Sequence, residues 1–411
     1  MPAIAINMNP RFEIYINDHI VNDNLMGLVR SVEYESTDNM ADMAKIVFSN
    51  PNFVLSELKE LQPGNEVFIW FGYGHKLAPI GRVEIARHHS TYPRGGMPTI
   101  EIIGYTADRR MMDHAPAKSK RDKTSQDKAT GASFEGKRYS DVVKDKADAY
   151  NFQQVLADKT PTIDDTKGLP KDFFQKFGMS DYDFIRGMAN ITGSFFWVDG
   201  AHSTNPDRPG AWTLHFKQPD SKDYVQRKRY TFMYNNGDQS TLLEFRPQLL
   251  THGQKTTVKA QYMDKDKGEM VQIEFPEQAP APAPDVVAEP SPTYAGKIIS
   301  RDKFKEDHTS GVAIKLLINE YSFEAIAPRD VNDAESLRIW AEQWYKNQRD
   351  DFVMAEGTAV GLEYLMARQI HNIKGLHGGL DGLYYFSRVR HSLDSSKGYE
   401  VDFNVRKVID E

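Results

Sequence analysis

The chain has no cysteine among its 411 residues. That absence excludes disulfides, thiolate zinc sites, iron–sulfur clusters and a cysteine nucleophile together. It leaves the compartment open, since a secreted protein can also lack cysteine. No stretch approaches the roughly 18 apolar residues of a membrane span, and Met1-Pro2-Ala3-Ile4 has neither the charged nor the apolar region of a secretory signal. Positive charge is not in excess either: 51 Lys+Arg against 58 Asp+Glu leave a net charge of −7. The global basic footprint of a nucleic-acid binder is therefore missing. What remains, 40% hydrophobic and 27% charged, is the composition of a soluble folded chain rather than a disordered or membrane one. Its length exceeds what a single hydrophobic core serves, so two or three cores are expected.

The first hundred residues read as strands. Phe12, Ile14 and Ile16 alternate with Glu13, Tyr15 and Asn17 and end at the turn-prone pair Asn17-Asp18. Further strands are predicted around Leu28–Tyr34, Lys45–Phe48, Val67–Phe71, Arg82–Ala86 and Thr99–Ile103, separated by Asn50-Pro51 and Pro63-Gly64. Short strands at this spacing predict a small antiparallel barrel or sandwich. Residues 114–133 then carry Lys118, Lys120, Arg121, Lys123 and Lys128 against Asp122 and Asp127 with almost nothing apolar, the pattern of a solvated mobile loop.

Helices follow. Val143, Ala147 and Tyr150 mark one stripe in 139–151, and Ser180 with Asp183 opens a second helix whose buried face holds Phe184, Ile185, Met188 and Ala189 before Gly193 stops it. Strands resume at 230–234, 241–245, 256–262 and 269–275. Six prolines between Pro276 and Pro292 make a semi-rigid extended linker. Beyond it, 312–318 is strand-like, 332–348 is a helix with Leu337, Trp340, Ala341, Trp344 and Tyr345 on one face, and the last sixty residues return to strands.

The two ends of the chain look alike. Gly81-Arg82-Val83-Glu84-Ile85 leads to Arg87-His88-His89-Ser90, a loop, and Thr99–Ile103. Gly382-Leu383-Tyr384-Tyr385-Phe386 leads to Arg388-Val389-Arg390-His391-Ser392, a loop, and Tyr399–Val405. Each is a glycine-led hairpin, and the pair predicts a duplicated barrel.

With Leu61–Val67, Ile102–Asp108, Met179–Asn190 running through Gly193 to Val198, and Leu380–Phe386 to Arg390-His391, the chain resembles the baseplate hub proteins of contractile bacteriophage tails, the late control D family, related to the hub portion of type VI secretion spike proteins. The resemblance implies a mainly β fold with an inserted α+β domain and two tail-tube-like antiparallel β-barrels. Its expected domains are a first barrel at 1–113, a loop and α+β insert at 114–239, a second barrel from 240–275 and 352–411, and a linker, strand and helix at 276–351. It further implies a homotrimer forming a pseudo-sixfold ring in the virion baseplate, assembled in the host cytoplasm. That ring would meet tail-tube subunits on one side and a trimeric central spike on the other, beside other baseplate proteins. DNA would pass through its channel without specific binding, and nothing would insert in a membrane. Neither a lysozyme-like domain nor a peptidoglycan-binding repeat is recognisable, and the Pro/Ala linker has no place in the family pattern.

No motif amounts to a catalytic, cofactor or metal site, and no such residues are assigned. His88 and His89 are adjacent, so on a strand they point to opposite faces and cannot share a metal. His371, His377 and His391 lack chelating spacing. Gly72-Tyr73-Gly74 lacks the context of a dinucleotide loop. The acid pairs Asp164-Asp165 and Asp350-Asp351, the run Asp264–Gly268 and the triplet Arg227-Lys228-Arg229 read as turns and surface. A structural, non-enzymatic hub is the expected function. A cell-wall glycan hydrolase of a tail tip and a β-rich receptor- or carbohydrate-binding module are the alternatives.

Overall fold

The computed structural model describes residues 9–113, 132–134, 136–156, 158–167, 174–176, 178–200, 210–217, 229–237, 240–249, 257–264, 268–275, 322–326, 334–350, 353–376, 380–394 and 398–408. The chain opens with β1 (Pro10–Ile16), β2 (His19–Ile20), the one-turn helix α1 (Asp23–Met26), β3 (Val29–Thr37), β4 (Met43–Ser49), β5 (Glu66–Tyr73), β6 (Lys76–Thr91) and β7 (Thr99–Tyr105). Local chemistry accounts for these boundaries. Asn17 and Asp18 both take positive φ, 50° and 63°, which is what a tight two-residue hairpin turn between β1 and β2 demands. In β4, Ala44, Ile46 and Phe48 are buried while their neighbours are half-exposed, the alternation of a strand with one face on the core.

An insert follows: α2 (Arg109–Met112), β8 (Ala132–Ser133), α3 (Tyr139–Ala149), β9 (Phe174–Gln175), α4 (Asp181–Thr192), β10 (Phe195–Gly200) and β11 (Trp212–Lys217). Ser180 Oγ accepts from the Asp183 amide at 3.0 Å and Gly193 closes α4 at φ 67°, so both ends stand where the cap residues put them. Then come β12 (Thr231–Met233) and β13 (Leu242–Leu249), an excursion of β14 (Thr257–Asp264), β15 (Glu269–Phe275), β16 (Ser322–Ile326) and α5 (Ala334–Asp350), and finally β17 (Val353–Val360), β18 (Gln369–Lys374), β19 (Gly382–Asp394) and β20 (Gly398–Lys407).

Thirteen strands form one continuous sheet in the order β13-β17-β20-β19-β3-β4-β7-β6-β5-β1-β2, with β18 on β19 and β12 on β18. It contains the same path twice. Strands β1, β3, β4, β5, β6 and β7 correspond in chain order to β12, β13, β17, β18, β19 and β20, and each neighbouring pair of the first set recurs in the second. Two of the bulges recur too, while the one between Ile69 and Trp70 in the β5–β6 ladder has no counterpart in β18–β19. One interrupts β3 between Val29 and Ser31 and β13 between Leu242 and Glu244; another interrupts β6 between Ile85 and Arg87 and β19 between Phe386 and Arg388. One pairing differs, since β1 runs antiparallel to β5 but β12 parallel to β18. The halves join where β3 lies antiparallel on β19, from Arg388↔Thr37 to Asp394↔Ser31.

One hydrophobic core runs through both halves, with Val32, Phe48, Ile69 and Phe71 from the first and Phe386, Val389, Val401 and Phe403 from the second. A second core gathers Tyr139, Val143, Ile185, Met188, Leu214 and Phe216 of the insert together with Val258, Ala260, Leu337 and Ala341 of the excursion. Two expected boundaries change in consequence. Strands β14 and β15, expected in the second barrel, pair with β16 in a separate three-stranded sheet, because their buried parity faces α5 rather than the large core. Conversely β12, expected within the insert, sits on β18 of the second half. Residues 132–133, expected to end a loop, pair with β9. The predicted loop 114–131, the linker 276–292 and the strand 312–318 lie outside the described residues. Leu337 and Ala341 of α5 are buried, while Trp340 and Trp344 pack half-buried against the second core. Among the described residues no helix is long and apolar enough to cross a membrane.

Candidate assembly interface

The turn between β3 and β4 is held by all three parts of the chain. Asp42, buried at 6% exposure, accepts from the Thr37 amide (3.1 Å) and Tyr34 Oη (3.3 Å) and pairs with Arg368 of the second half at 3.2 Å. Arg368 also donates to the Thr37 carbonyl, and its guanidinium lies 5.0 Å from the Trp197 ring centroid of the insert. It does this from a left-handed backbone at φ 68°, a conformation that costs a non-glycine residue energy and persists only where the surroundings fix it. Around the same turn, Ala367 donates to Ser36 Oγ (2.8 Å), Tyr385 Oη to Asp38 (3.3 Å) and Tyr182 Oη to the Asn39 carbonyl (3.4 Å), and Trp197 stacks on His215 with ring centroids 4.4 Å apart. Burial raises the Asp42 carboxyl above its ordinary value against the pull of Arg368. Nearby Asp108 is pushed up to about 7 by burial, helped by the negative charge of Asp42 and opposed by its hydrogen bond from Thr106.

A second joint fixes the insert to the first half. Glu66 accepts from Trp212 Nε1 at 3.0 Å and from Arg82, which is 2% exposed and whose guanidinium lies 5.5 Å from the Trp212 ring centroid. These joints consume their charges in one another. Their chemistry is that of rigid fastening: an arginine plane suits both a carboxylate and an aromatic face at once.

In the large sheet, among the described residues, β2 and β12 each pair on one side only, and two longer strands also leave an edge open. The β6 stretch beyond its bulge pairs with β7 on one side only, and β13 pairs with β17 on one side only, among the described residues. Both carry exposed side chains: Arg87, His89 and Thr91 on β6, and Leu243, Glu244, Arg246, Pro247 and Gln248 on β13. Large apolar groups stand exposed beside them, Tyr92 at 62% and Leu243 at 49%. An uncovered edge of this kind is a template for another strand.

The residues weighed from sequence are dispersed. His88 is half-buried and His89 exposed on β6. His371 accepts at Nδ1 from the Tyr230 amide (3.1 Å) and faces Gln369 Oε1 at Nε2 (2.9 Å); burial lowers it to about 3. His391 faces the Leu365 carbonyl at Nε2 (2.6 Å), so Nε2 carries the proton and Nδ1 accepts from Tyr399 Oη (2.8 Å); burial lowers it to about 4. Gly72 lies against the Lys76 carbonyl in the β5–β6 hairpin, and Tyr73 Oη donates to the Gly361 carbonyl at 3.2 Å. Asp164 and Asp165 pair with different lysines, Lys217 at 2.9 Å and Lys144 at 2.7 Å. Asp264 faces Glu269 across the β14–β15 hairpin, Asp350 ends α5, and Arg229 is exposed. His377, Asp351, Lys265–Lys267, Arg227 and Lys228 lie outside the described residues. Among the described residues no three His, Asp or Glu side chains gather as a metal site would require. Sequence reading missed Arg368 and Asp42, which stand in no motif, and the part Trp197 plays beside them, since the three are far apart in the chain.

No protein-family model and no curated protein sequence matches the chain. Solved structures do match, along nearly its whole length. The tail protein from Neisseria meningitidis MC58 has a TM-score of 0.61 at 11% identity, over 97% of this chain and 96% of that one. The 43 kDa tail protein of prophage MuSo2 from Shewanella oneidensis has 0.59 at 9% identity, over 96% and 98%. Prophage tail protein gp18 from Listeria monocytogenes EGD-e has 0.53 at 11% identity, over 97% and 95%. The fold is thus one found in phage tail proteins.

Proposed function

We propose that this chain is a structural, non-enzymatic protein of a phage tail baseplate. Its two β-halves serve as consecutive positions of a ring that three copies close, adapting a sixfold tail tube to a threefold spike around a channel for DNA. The observation that carries this reading is the internal duplication: one six-strand path appears twice with two bulges at matching places, and one copy of the path docks edgewise on the other. Two equivalent units joined edge to edge are the repeating step of a ring, and three such pairs give six positions. The likeness in fold to phage tail proteins supports the setting. Net charge agrees with it, since at −7 per chain an assembled ring repels the DNA backbone rather than retaining it. The joints at Asp42–Arg368 and Glu66–Trp212 support the mechanical part, because they make the insert rigid against both halves.

Light scattering on the purified chain tests the reading. A mass near three times 46.8 kDa, with a threefold particle and an axial opening in cryo-electron microscopy, is the expected result. A ring of any other order, or release of peptidoglycan fragments by the purified chain, overturns it.

A further inference from the structure

The duplication also specifies how one copy meets the next. Inside the chain, β3 lies on β19 beyond the β19 bulge, with Glu35 opposite Arg390, Glu33 opposite Ser392 and Val32 opposite Leu393. Each of these residues has a counterpart fixed by the shared ladders. Because β6–β7 and β19–β20 pair in the same register on both sides of their bulges, Arg390 corresponds to His89, Ser392 to Thr91 and, one residue past β6, Leu393 to Tyr92. Because β3–β4 and β13–β17 do likewise, Glu35 corresponds to Gln248, Glu33 to Arg246 and Val32 to Phe245.

The covered junction therefore has an uncovered twin in the same chain. Leu393 and Val32 are 9% and 0% exposed, whereas Tyr92 is 62% exposed and Phe245 is half-buried. We infer that β13 of one copy adds antiparallel to the β6 edge of the next copy, in the register that sets His89 opposite Gln248, Thr91 opposite Arg246 and Tyr92 opposite Phe245. This rests on the ring reading above and goes beyond it by naming the two edges and their alignment. The occupant is a second copy of this chain, because among the described residues the strand that the chain itself shows fitted to a β19-type edge is a β3-type strand, and β13 is the other one.

The twin junction is the weaker of the two. Arg388–Glu35 (2.6 Å) and Arg390–Glu33 (3.8 Å) fasten the inner one. Their counterparts, Arg87 with Gln248 and His89 with Arg246, are not of opposite charge. Pro247, opposite Ser90 in this register, brings no N–H to the ladder. Contact between copies thus leans on the remaining backbone hydrogen bonds and the Tyr92–Phe245 pair, so copies separate before the halves of one chain do.

The absence of native cysteine makes this testable by disulfide trapping. The double variant His89→Cys/Gln248→Cys, and separately Thr91→Cys/Arg246→Cys, substitute exposed positions. Opposed strand residues lie within disulfide reach. Under oxidation each double variant is expected to shift on a non-reducing gel from 46.8 kDa to a ladder ending at three chains, collapsing on reduction. Arg87→Cys/Arg246→Cys, four residues out of register, is expected to stay monomeric on the gel. Linking by that control, or dimers from a single His89→Cys or Gln248→Cys variant, overturns the inference. A trimer by light scattering that fails to cross-link overturns this pairing and leaves the ring intact. A chain that stays monomeric in both measurements overturns the ring and the pairing together.

Discussion

Gly81 and Gly382 occupy matching points of two hairpins, each just ahead of the bulge that lets its long strand change partners, from β5 toward an open edge in one case and from β18 to β3 in the other. Gly81 has a further duty, because a Cβ there would lie 2.2 Å from Tyr34 Cζ. Gly81→Ala is expected to destabilise the protein by about 1–3 kcal/mol through overpacking. In a double-mutant cycle with Tyr34→Ala the two losses should fall short of additivity, since the second change removes the clash. Urea unfolding measures both, and strict additivity would count against a steric cause.

Arg368 is the residue on which three parts of the chain converge. Arg368→Met should cost about 3–5 kcal/mol, because it strands buried Asp42 without its cation. Adding Asp42→Asn should recover part of that loss. Arg368→Lys should recover little, since a lysine cannot hold the Thr37 carbonyl, the carboxylate and the Trp197 face in one plane. Equal stability of the Lys and native proteins in denaturant titration would show that charge alone matters.

Stability should depend on pH in two opposed ways. His391 and His371 have native values depressed below the ordinary 6.5, to about 4 and about 3. Their contribution is therefore complete above 6.5 and is lost as pH falls toward those values, on the order of 3 kcal/mol for His391 alone. Asp108 behaves oppositely. Raised from 3.8 to about 7, it keeps its proton in the native state where the unfolded chain has released it, so its contribution declines as pH rises between those limits. Thermal melts of Asp108→Asn from pH 4 to 7 should accordingly show a steeper gain in Tm with pH than the native protein shows. A shallower gain would reverse the assignment.

Along α5, burial sets the order of mutational cost. Leu337 is fully buried, so Leu337→Ala should cost about 2–5 kcal/mol. Trp340, half-buried, should cost about 1–2 kcal/mol on truncation to alanine. Guanidinium unfolding of the two variants decides it, and a larger loss for Trp340→Ala would mean that its ring is covered more fully in solution.

The parts of this fold that were legible in the sequence rest on short-range chemistry. Ser180, Asp183 and Gly193 bound α4 because caps act within one turn, and Asn17-Asp18 turn β1 because few other residues accept φ above zero. The paired hairpins were visible, but the bulges they share were not. A bulge leaves no mark in a pattern of apolar residues. Membership of β12 and β14 was illegible for a related reason: alternation declares a strand half-buried without saying which core receives it. The Asp42–Arg368–Trp197 joint was likewise invisible, being made by residues that only the finished fold brings near.

The excursion between β13 and β17 bears on the order in which this chain can acquire its structure. Strands β3 and β4 are neighbours in the chain as well as in the sheet, separated only by residues 38–42, whereas β13 must wait for β17 across residues 250–352. Closing a loop roughly twentyfold longer costs about 3 kcal/mol more in chain entropy if that loop is slack. A segment that has already condensed, as β14, β15 and α5 do on the insert, brings its own ends together and lowers that cost. The first half, built mostly of local hairpins and emerging first from the ribosome, can therefore fold during synthesis. The second becomes complete only when β20 has been made, so the β3–β19 seam, a contact of high sequence separation, is expected to form late.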